Sequence, residues 1–207
     1  MKRFTLIAAI ALLPIFPLYA QVSGQRSLFQ IKAGVSLPLL CFASSDLSKG
    51  TSGFASPGFM IDLGYTWRTG TYTGIGGRLF YGTNPAGKAG IQSTGSPYQW
   101  GGIMVGPVLL RDLSVRWQGD IAVTAGWSWV RTPLIRYGDA ILLQRQTGNS
   151  FVWGGTIGVR YQLSDRSSIH LQADHVNLKP RLLHATVGKT EQHLVLMNLD
   201  AGLGILF

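Results

Sequence analysis

Ser168, His170, Asp174 and His175 bring a hydroxyl, two imidazoles and a carboxylate into one short stretch, the group types that nucleophilic acyl transfer requires. Other chemistry is harder to build. Gly74, Gly76 and Gly77 form a glycine-rich run, but no helix pattern follows that would complete a phosphate cradle, and crowding within a curved sheet accounts for them. Cys41 is the single cysteine, so an intramolecular disulfide and a Cys-based zinc site are excluded, and an inert loop thiol is expected. The histidines at 170, 175, 184 and 193 lack the spacing of a metal site, so neither a metal nor a cofactor is expected.

The elements that would carry these groups follow from hydrophobic periodicity. Residues 1–20 read as a cleaved signal peptide: Lys2 and Arg3 precede an apolar run to Leu18, and Leu18-Tyr19-Ala20 provides a small-residue cleavage site. Residues 21–207 then form one domain. Within it apolar residues alternate with polar or small ones, the period of a strand, predicting an all-β chain with strands near 27–37, 57–68, 72–82, 98–110, 113–130, 150–163, 168–178 and 193–207. Short turns at Arg68 to Thr71, at Arg111-Asp112 and at Ser164 to Ser167 alternate with long loops at 38–56, 83–97, 131–149 and 179–192. This is the pattern of an eight-stranded antiparallel up-and-down transmembrane β-barrel, with short turns and both termini on the periplasmic side and long loops outside.

A soluble barrel would alternate as well, and the distribution of charge separates the two. Eight charged residues fall on the polar strand face: Lys32, Asp62, Arg78, Arg116, Asp120, Arg160, Asp174 and Asp200. The opposite face of seven strands carries none, while the strand at 98–110 alternates too poorly to orient. A charge at mid-bilayer costs about 2–4 kcal/mol, so a charge-free face is expected to meet lipid and the charged face to line the interior. Outward aromatics fall into two bands: Phe29, Tyr65, Trp67, Trp117, Tyr161 and Phe207 by the short turns, and Phe59, Tyr81, Trp127, Trp129, Phe151 and Trp153 by the long loops. Such bands suit the two membrane interfaces. A hairpin centred on Gly70 would set Asp62 opposite Arg78, and Asp200 could meet Lys32 across the closing seam.

The last strand ends Asp200-Ala-Gly202-Leu-Gly-Ile205-Leu-Phe207, a polar residue, a glycine two on, an apolar residue three further and a terminal aromatic. Here the chain resembles the small eight-stranded outer-membrane β-barrels of the OmpA transmembrane-domain and OmpX type, through topology over residues 27–207 and through this terminal motif. The resemblance implies insertion by the barrel-assembly machinery, with Asp200, Gly202, Ile205 and Phe207 as its signal. Lipid A deacylases are also eight-stranded and hold serine and histidine two apart on the lipid-facing surface. Here Ser168 and His170 have that spacing on the inward face, His175 has no hydroxyl two away, and the only glutamate, Glu191, lies in a loop.

The long loops carry Lys49, Lys88, Arg131, Arg136, Arg145, Lys179, Arg181 and Lys189 against Asp46, Asp139 and Glu191, a surplus of five positive charges expected to face the phosphates of lipopolysaccharide. Export argues against the other common reading of a net charge of +9, nucleic-acid binding. The expected function is therefore an integral outer-membrane protein of a Gram-negative envelope with a structural or interaction role, in contact with outer-membrane lipid and supporting a larger envelope protein complex. A deacylase-like lipid A-modifying enzyme is the alternative. A narrow channel is disfavoured, because eight strands leave an interior that side chains fill.

Overall fold

A computed structural model of the 207-residue chain describes residues 27–46, 52–87, 92–94, 97–137, 140–184 and 188–207. The segment read as an export signal lies outside the described residues. Eight strands close into one antiparallel barrel: β1 (Leu28–Leu39), β2 (Gly58–Arg68), β3 (Thr73–Asn84), β5 (Tyr98–Asp112), β6 (Trp117–Arg131), β9 (Thr147–Gln162), β10 (Ser167–Leu178) and β13 (Leu194–Leu206). Each pairs with its neighbours in sequence order, and β13 pairs with β1 from Leu28↔Leu206 to Leu39↔Val195, leaving no open edge.

The three short connections share one construction. In the turns 69–72, 113–116 and 163–166, two successive amides donate to the carbonyl of the next strand's first residue, Thr73, Trp117 or Ser167, at 2.8–3.2 Å. Two of the turns read Leu-Ser-x-Arg, and in both the serine hydroxyl accepts from the amides two and three residues on: Ser114 from Arg116 and Trp117, Ser164 from Arg166 and Ser167. This side-chain mimicry of a backbone turn is the usual reason for serine at such positions. It places the second turn at 113–116, where the sequence reading put a strand after a turn at Arg111-Asp112. Leu113 and Val115 are thus exposed turn residues, and Arg116 leaves the barrel interior.

The long connections are also structured. A helical turn, Leu40–Ala43, follows β1, and it presents Cys41 as a free, exposed thiol. Strands β4 (Gln92–Thr94), β7 (Leu134–Tyr137) and β8 (Ala140–Leu143) form a small sheet, and β11 (Arg181–His184) pairs with β12 (Gly188–Glu191). Barrel strands run to as many as 16 residues and carry these elements beyond the long-loop end of the barrel.

The interior has two layers. Toward the long loops it is apolar: Met60, Phe80, Trp100, Met104, Val130, Val152, Val176 and Leu196 fill the barrel, with Phe42 and Phe54 packed on them from the first long connection. Trp100 resolves the orientation of β5, pointing inward together with Met104 and Val108, while Ile103, Val105 and Pro107 face out. Its indole lies where a side chain at position 82 would stand, 2.2 Å from an ideal Cβ, so Gly82 makes its room. Pro107 has no amide hydrogen to donate, and the β5–β6 ladder skips 106 and 107. Toward the short turns the interior is polar.

Candidate functional site: the barrel interior and its two rims

Inward positions on β1, β2, β3 and β10 place a closed ring of side chains across the lumen. Lys32 and Asp62 are register partners, with Nζ and Oδ1 3.3 Å apart. Asp62 Oδ2 also lies 2.6 Å from Arg78 Nε. The Arg78 guanidinium then reaches over to Asp174 as a fork, with Nη1 2.9 Å from Oδ1 and Nη2 3.0 Å from Oδ2. Asp174 Oδ1 accepts from Gln172 Nε2 at 2.7 Å, and Lys32 Nζ donates to Gln172 Oε1 at 2.7 Å, which closes the ring. Thr156 adds a further hydrogen bond to Asp174 at 2.6 Å. All four charges are at most 8% exposed. Two carboxylates and two cations give a neutral, largely desolvated unit in which each charge has a partner, the condition for burying charge at tolerable cost.

Two details depart from the sequence reading. The β2–β3 register sets Asp62 against Phe80 and Arg78 against Gly64, because the hairpin is centred on Thr71 where one centred on Gly70 was expected. Asp62 and Arg78 meet diagonally. Asp200 stands opposite Gly34, with Lys32 opposite Gly202, and Lys32 turns to Asp62 and Gln172. Asp200, 2% exposed, makes no hydrogen bond among the described residues.

A second polar chain lies nearer the short-turn end. Arg160, 8% exposed, donates to Gln118, whose amide donates to Asp112, and Asp112 lies 3.9 Å from Arg68. Asp120 is half-buried beside Gly158. Arg116 is exposed on the turn, where it donates to Tyr161 Oη at 3.3 Å. The interior therefore holds Lys32, Arg78 and Arg160 against Asp62, Asp120, Asp174 and Asp200, one acid in excess. Gln118, Thr156 and Gln172 also belong to these chains, and inward strand parity was the signal that could have singled them out. Arg68 and Asp112 were missed because they were read as turn residues.

The hydroxyl–imidazole constellation is divided. Ser168 Oγ lies 3.0 Å from His170 Nε2, both buried in the lumen. Asp174 is on the same face but is taken up by Arg78, Gln172 and Thr156. His175 faces outward, its ring 5.9 Å from that of Trp153. Among the described residues no acid is bonded to His170 and no hydroxyl to His175, so these four side chains are not joined in a nucleophile–base–acid relay.

Outside, the strands present aliphatic side chains such as Ile31, Leu79, Val123, Ile157, Leu171 and Leu203. Among the described residues of the eight barrel strands, charged side chains with outward parity occur only at strand ends, Arg111 by a short turn and Arg131 by a long loop. Aromatics flank this band and pair across strands. Phe29 is opposite Tyr65, and the Trp117 and Tyr161 rings are 4.9 Å apart at the short-turn rim. At the other rim Trp127 is opposite Phe151, and the Tyr81 and Trp129 rings are 6.0 Å apart. Of the basic loop residues, Arg131, Arg136, Arg145, Lys179, Arg181 and Lys189 lie at the long-loop end, with Arg181 in register with Glu191. Lys49 and Lys88 lie outside the described residues. His193 is bonded to Asn177 Oδ1 at 2.8 Å, and burial, then Lys179, hold its imidazole below the usual range. In the last strand Asp200 points inward, and Ile205 and Phe207 point out. A Cβ on Gly202 would come within 2.1 Å of the Ile31 carbonyl oxygen, and the Phe207 amide donates to Ser27 O at 2.9 Å.

No protein-family model matches the chain, and no curated protein matches it in sequence. Solved structures do match in three dimensions. Neisserial surface protein A (NspA) superposes with a TM-score of 0.61 at 11% identity, over 87% of this chain and 97% of that one. Ail, the attachment invasion locus protein and an outer-membrane protein of Yersinia pestis, gives a TM-score of 0.52 at 12% identity, over 88% and 99%. With the closed order of eight antiparallel strands, these likenesses give the chain the fold of the small eight-stranded outer-membrane β-barrels.

Proposed function

We propose that the protein is an integral barrel of a Gram-negative outer membrane with an interaction role, its short turns and termini in the periplasm and its long-loop elements outside. The observation that carries this reading is the charge-free aliphatic belt bounded by two aromatic rows, the surface that a bilayer and its two interfaces require. The basic residues at the long-loop end are then a collar for the phosphates of lipopolysaccharide. The terminal strand, from Asp200 to Phe207, is the segment the barrel-assembly machinery recognises, and the structured loops are the surface offered to an envelope partner. A pore is not favoured, since an apolar layer and an ion-pair ring lie one above the other in the lumen. Enzymatic attack on lipid A is not favoured either, because Ser168 and His170 are buried inside the barrel, away from any acyl chain.

The test uses the natural thiol. In intact cells a membrane-impermeant maleimide should label Cys41, whereas a variant combining Cys41→Ser with Thr71→Cys, in an exposed short turn, should label only after the outer membrane is permeabilised. Equal labelling of both would overturn the orientation, and recovery of the protein in the soluble fraction would overturn the membrane assignment.

A further inference from the structure

At the short-turn end the barrel opens into a cavity of about 450 Å3, within the range of roughly 300–1,000 Å3 that small-molecule sites occupy. Three guanidiniums line it: Arg160 from the floor, Arg68 from the end of β2 and Arg116 from the 113–116 turn. Among the described residues Asp112 is the one acid in the lining, so two positive charges are left over. The arginines are not spent on each other's partners. Among the described residues Arg68 Nη2 makes no hydrogen bond, its nearest carboxylate oxygen being 3.9 Å away, and the Arg116 guanidinium donates to the Tyr161 hydroxyl alone. Gln118 and Gln162 add amides to the same wall. Convergent guanidiniums with unfilled donors suit an oxyanion of the phosphate type, which accepts several forked hydrogen bonds at once.

The surroundings say where that anion comes from. The turn that carries Arg116 also carries Leu113 and Val115, 59% and 97% exposed, and leads into Trp117. Apolar side chains at the tip of a turn beside an interfacial aromatic pair belong at a lipid surface, so the mouth lies at the depth of the headgroups. We propose that this mouth binds the phosphate of a glycerophospholipid headgroup, with Arg68, Arg116 and Arg160 as its donors. The volume exceeds that of a bare phosphate and accommodates the glycerol stem. The inference takes from the proposed function only that the barrel sits in lipid.

Glycerol 3-phosphate, titrated by calorimetry into the purified protein in a nonionic detergent, tests the site without reference to location or orientation. Saturable one-to-one binding is expected. It should weaken at least tenfold in Arg116→Ala and in Arg68→Ala, and by less than twofold in Arg166→Ala. Arg166 occupies the matching place of the other Leu-Ser-x-Arg turn, is exposed and does not line the cavity, so it controls for net charge. Each variant is first shown to keep the heat-dependent gel mobility of a folded barrel, and Arg116, on an exposed turn, leaves the interior untouched. Absence of saturable binding, or an equal loss in Arg166→Ala, would overturn the site. Native mass spectrometry with phosphatidylglycerol identifies the source. One retained lipid per barrel, lost in the Arg68→Ala/Arg116→Ala double variant, supports a headgroup, whereas glycerol 3-phosphate binding without lipid retention overturns the lipid assignment.

Discussion

Arg78 is the residue on which the interior ring depends, and removing it has a calculable consequence. Its guanidinium serves Asp62 through one nitrogen and Asp174 through two. Arg78→Ala leaves both carboxylates in a desolvated lumen. Breaking a buried pair in this way costs about 3–5 kcal/mol, and the contacts that survive, Lys32 to Asp62 and Gln172 and Thr156 to Asp174, favour the lower end. Asp62→Ala is milder, about 1.5–3 kcal/mol, since Arg78 keeps its fork on Asp174 and Lys32 keeps Gln172. Once Arg78 is gone, removing Asp62 also removes a stranded charge, so the double variant should cost less than the sum of the singles, with a coupling of about 2 kcal/mol. With a urea slope of about 1–3 kcal/mol per molar, the Arg78→Ala midpoint should fall by roughly 1–3 M. Tryptophan fluorescence of the protein in lipid vesicles reads the transition. Additivity to within about 0.5 kcal/mol would show that the two side chains do not share a network, whatever their separation in space.

Three further outcomes follow from the same geometry. Asp200→Asn should raise the urea midpoint, by about 1 kcal/mol in stability, because it removes a buried charge that no hydrogen bond compensates; a lowered midpoint would refute that account. Phe207→Ala, and more so deletion of Phe207, should reduce folded barrel in the outer membrane and leave unfolded material in the periplasm, since deletion also takes the amide that closes onto Ser27; unchanged folded levels by heat-dependent gel mobility would refute the reading of the terminus. His170→Ala and His175→Ala should leave the host's lipid A acylation pattern unchanged by mass spectrometry, as should deleting the protein; a shift on deletion that wild type restores and a histidine variant does not would establish an enzyme.

The strands were legible because a barrel wall with one face to the lumen and one face outward enforces period-two alternation, and the aromatic rows because they recur at the two ends of the outward face. The turn at 113–116 was not, because Leu113 and Val115 continue the alternation of β6 and so imitate strand. The signal that would have found it was the repeated Leu-Ser-x-Arg, whose second copy at 163–166 overlaps the turn expected at Ser164 to Ser167. The β2–β3 register differs because the hairpin is centred on Thr71 and not on Gly70, a step of one residue that shifts every partner by two. Arg78 and Asp174 lie 96 residues apart, and only the narrow diameter of a closed barrel brings them together; no local pattern encodes that. The strands of three or four residues in the loops pair through tertiary contacts and carry too few residues for periodicity to show.

For a barrel that spans lipid as proposed, the ring also constrains the order of entry into the membrane. Lys32, Asp62 and Arg78 arrive on the first three barrel strands with one positive charge to spare, and the anion that neutralises it waits on β10, the seventh. Asp120 of β6 balances the count of charges earlier, but a sheet inserted strand by strand from the N-terminus would still hold Arg78 without its forked partner in a low-dielectric setting until β10 had followed. Completion of the ring therefore favours crossing as a nearly complete sheet, in which the last strands join before the first commit to the lipid.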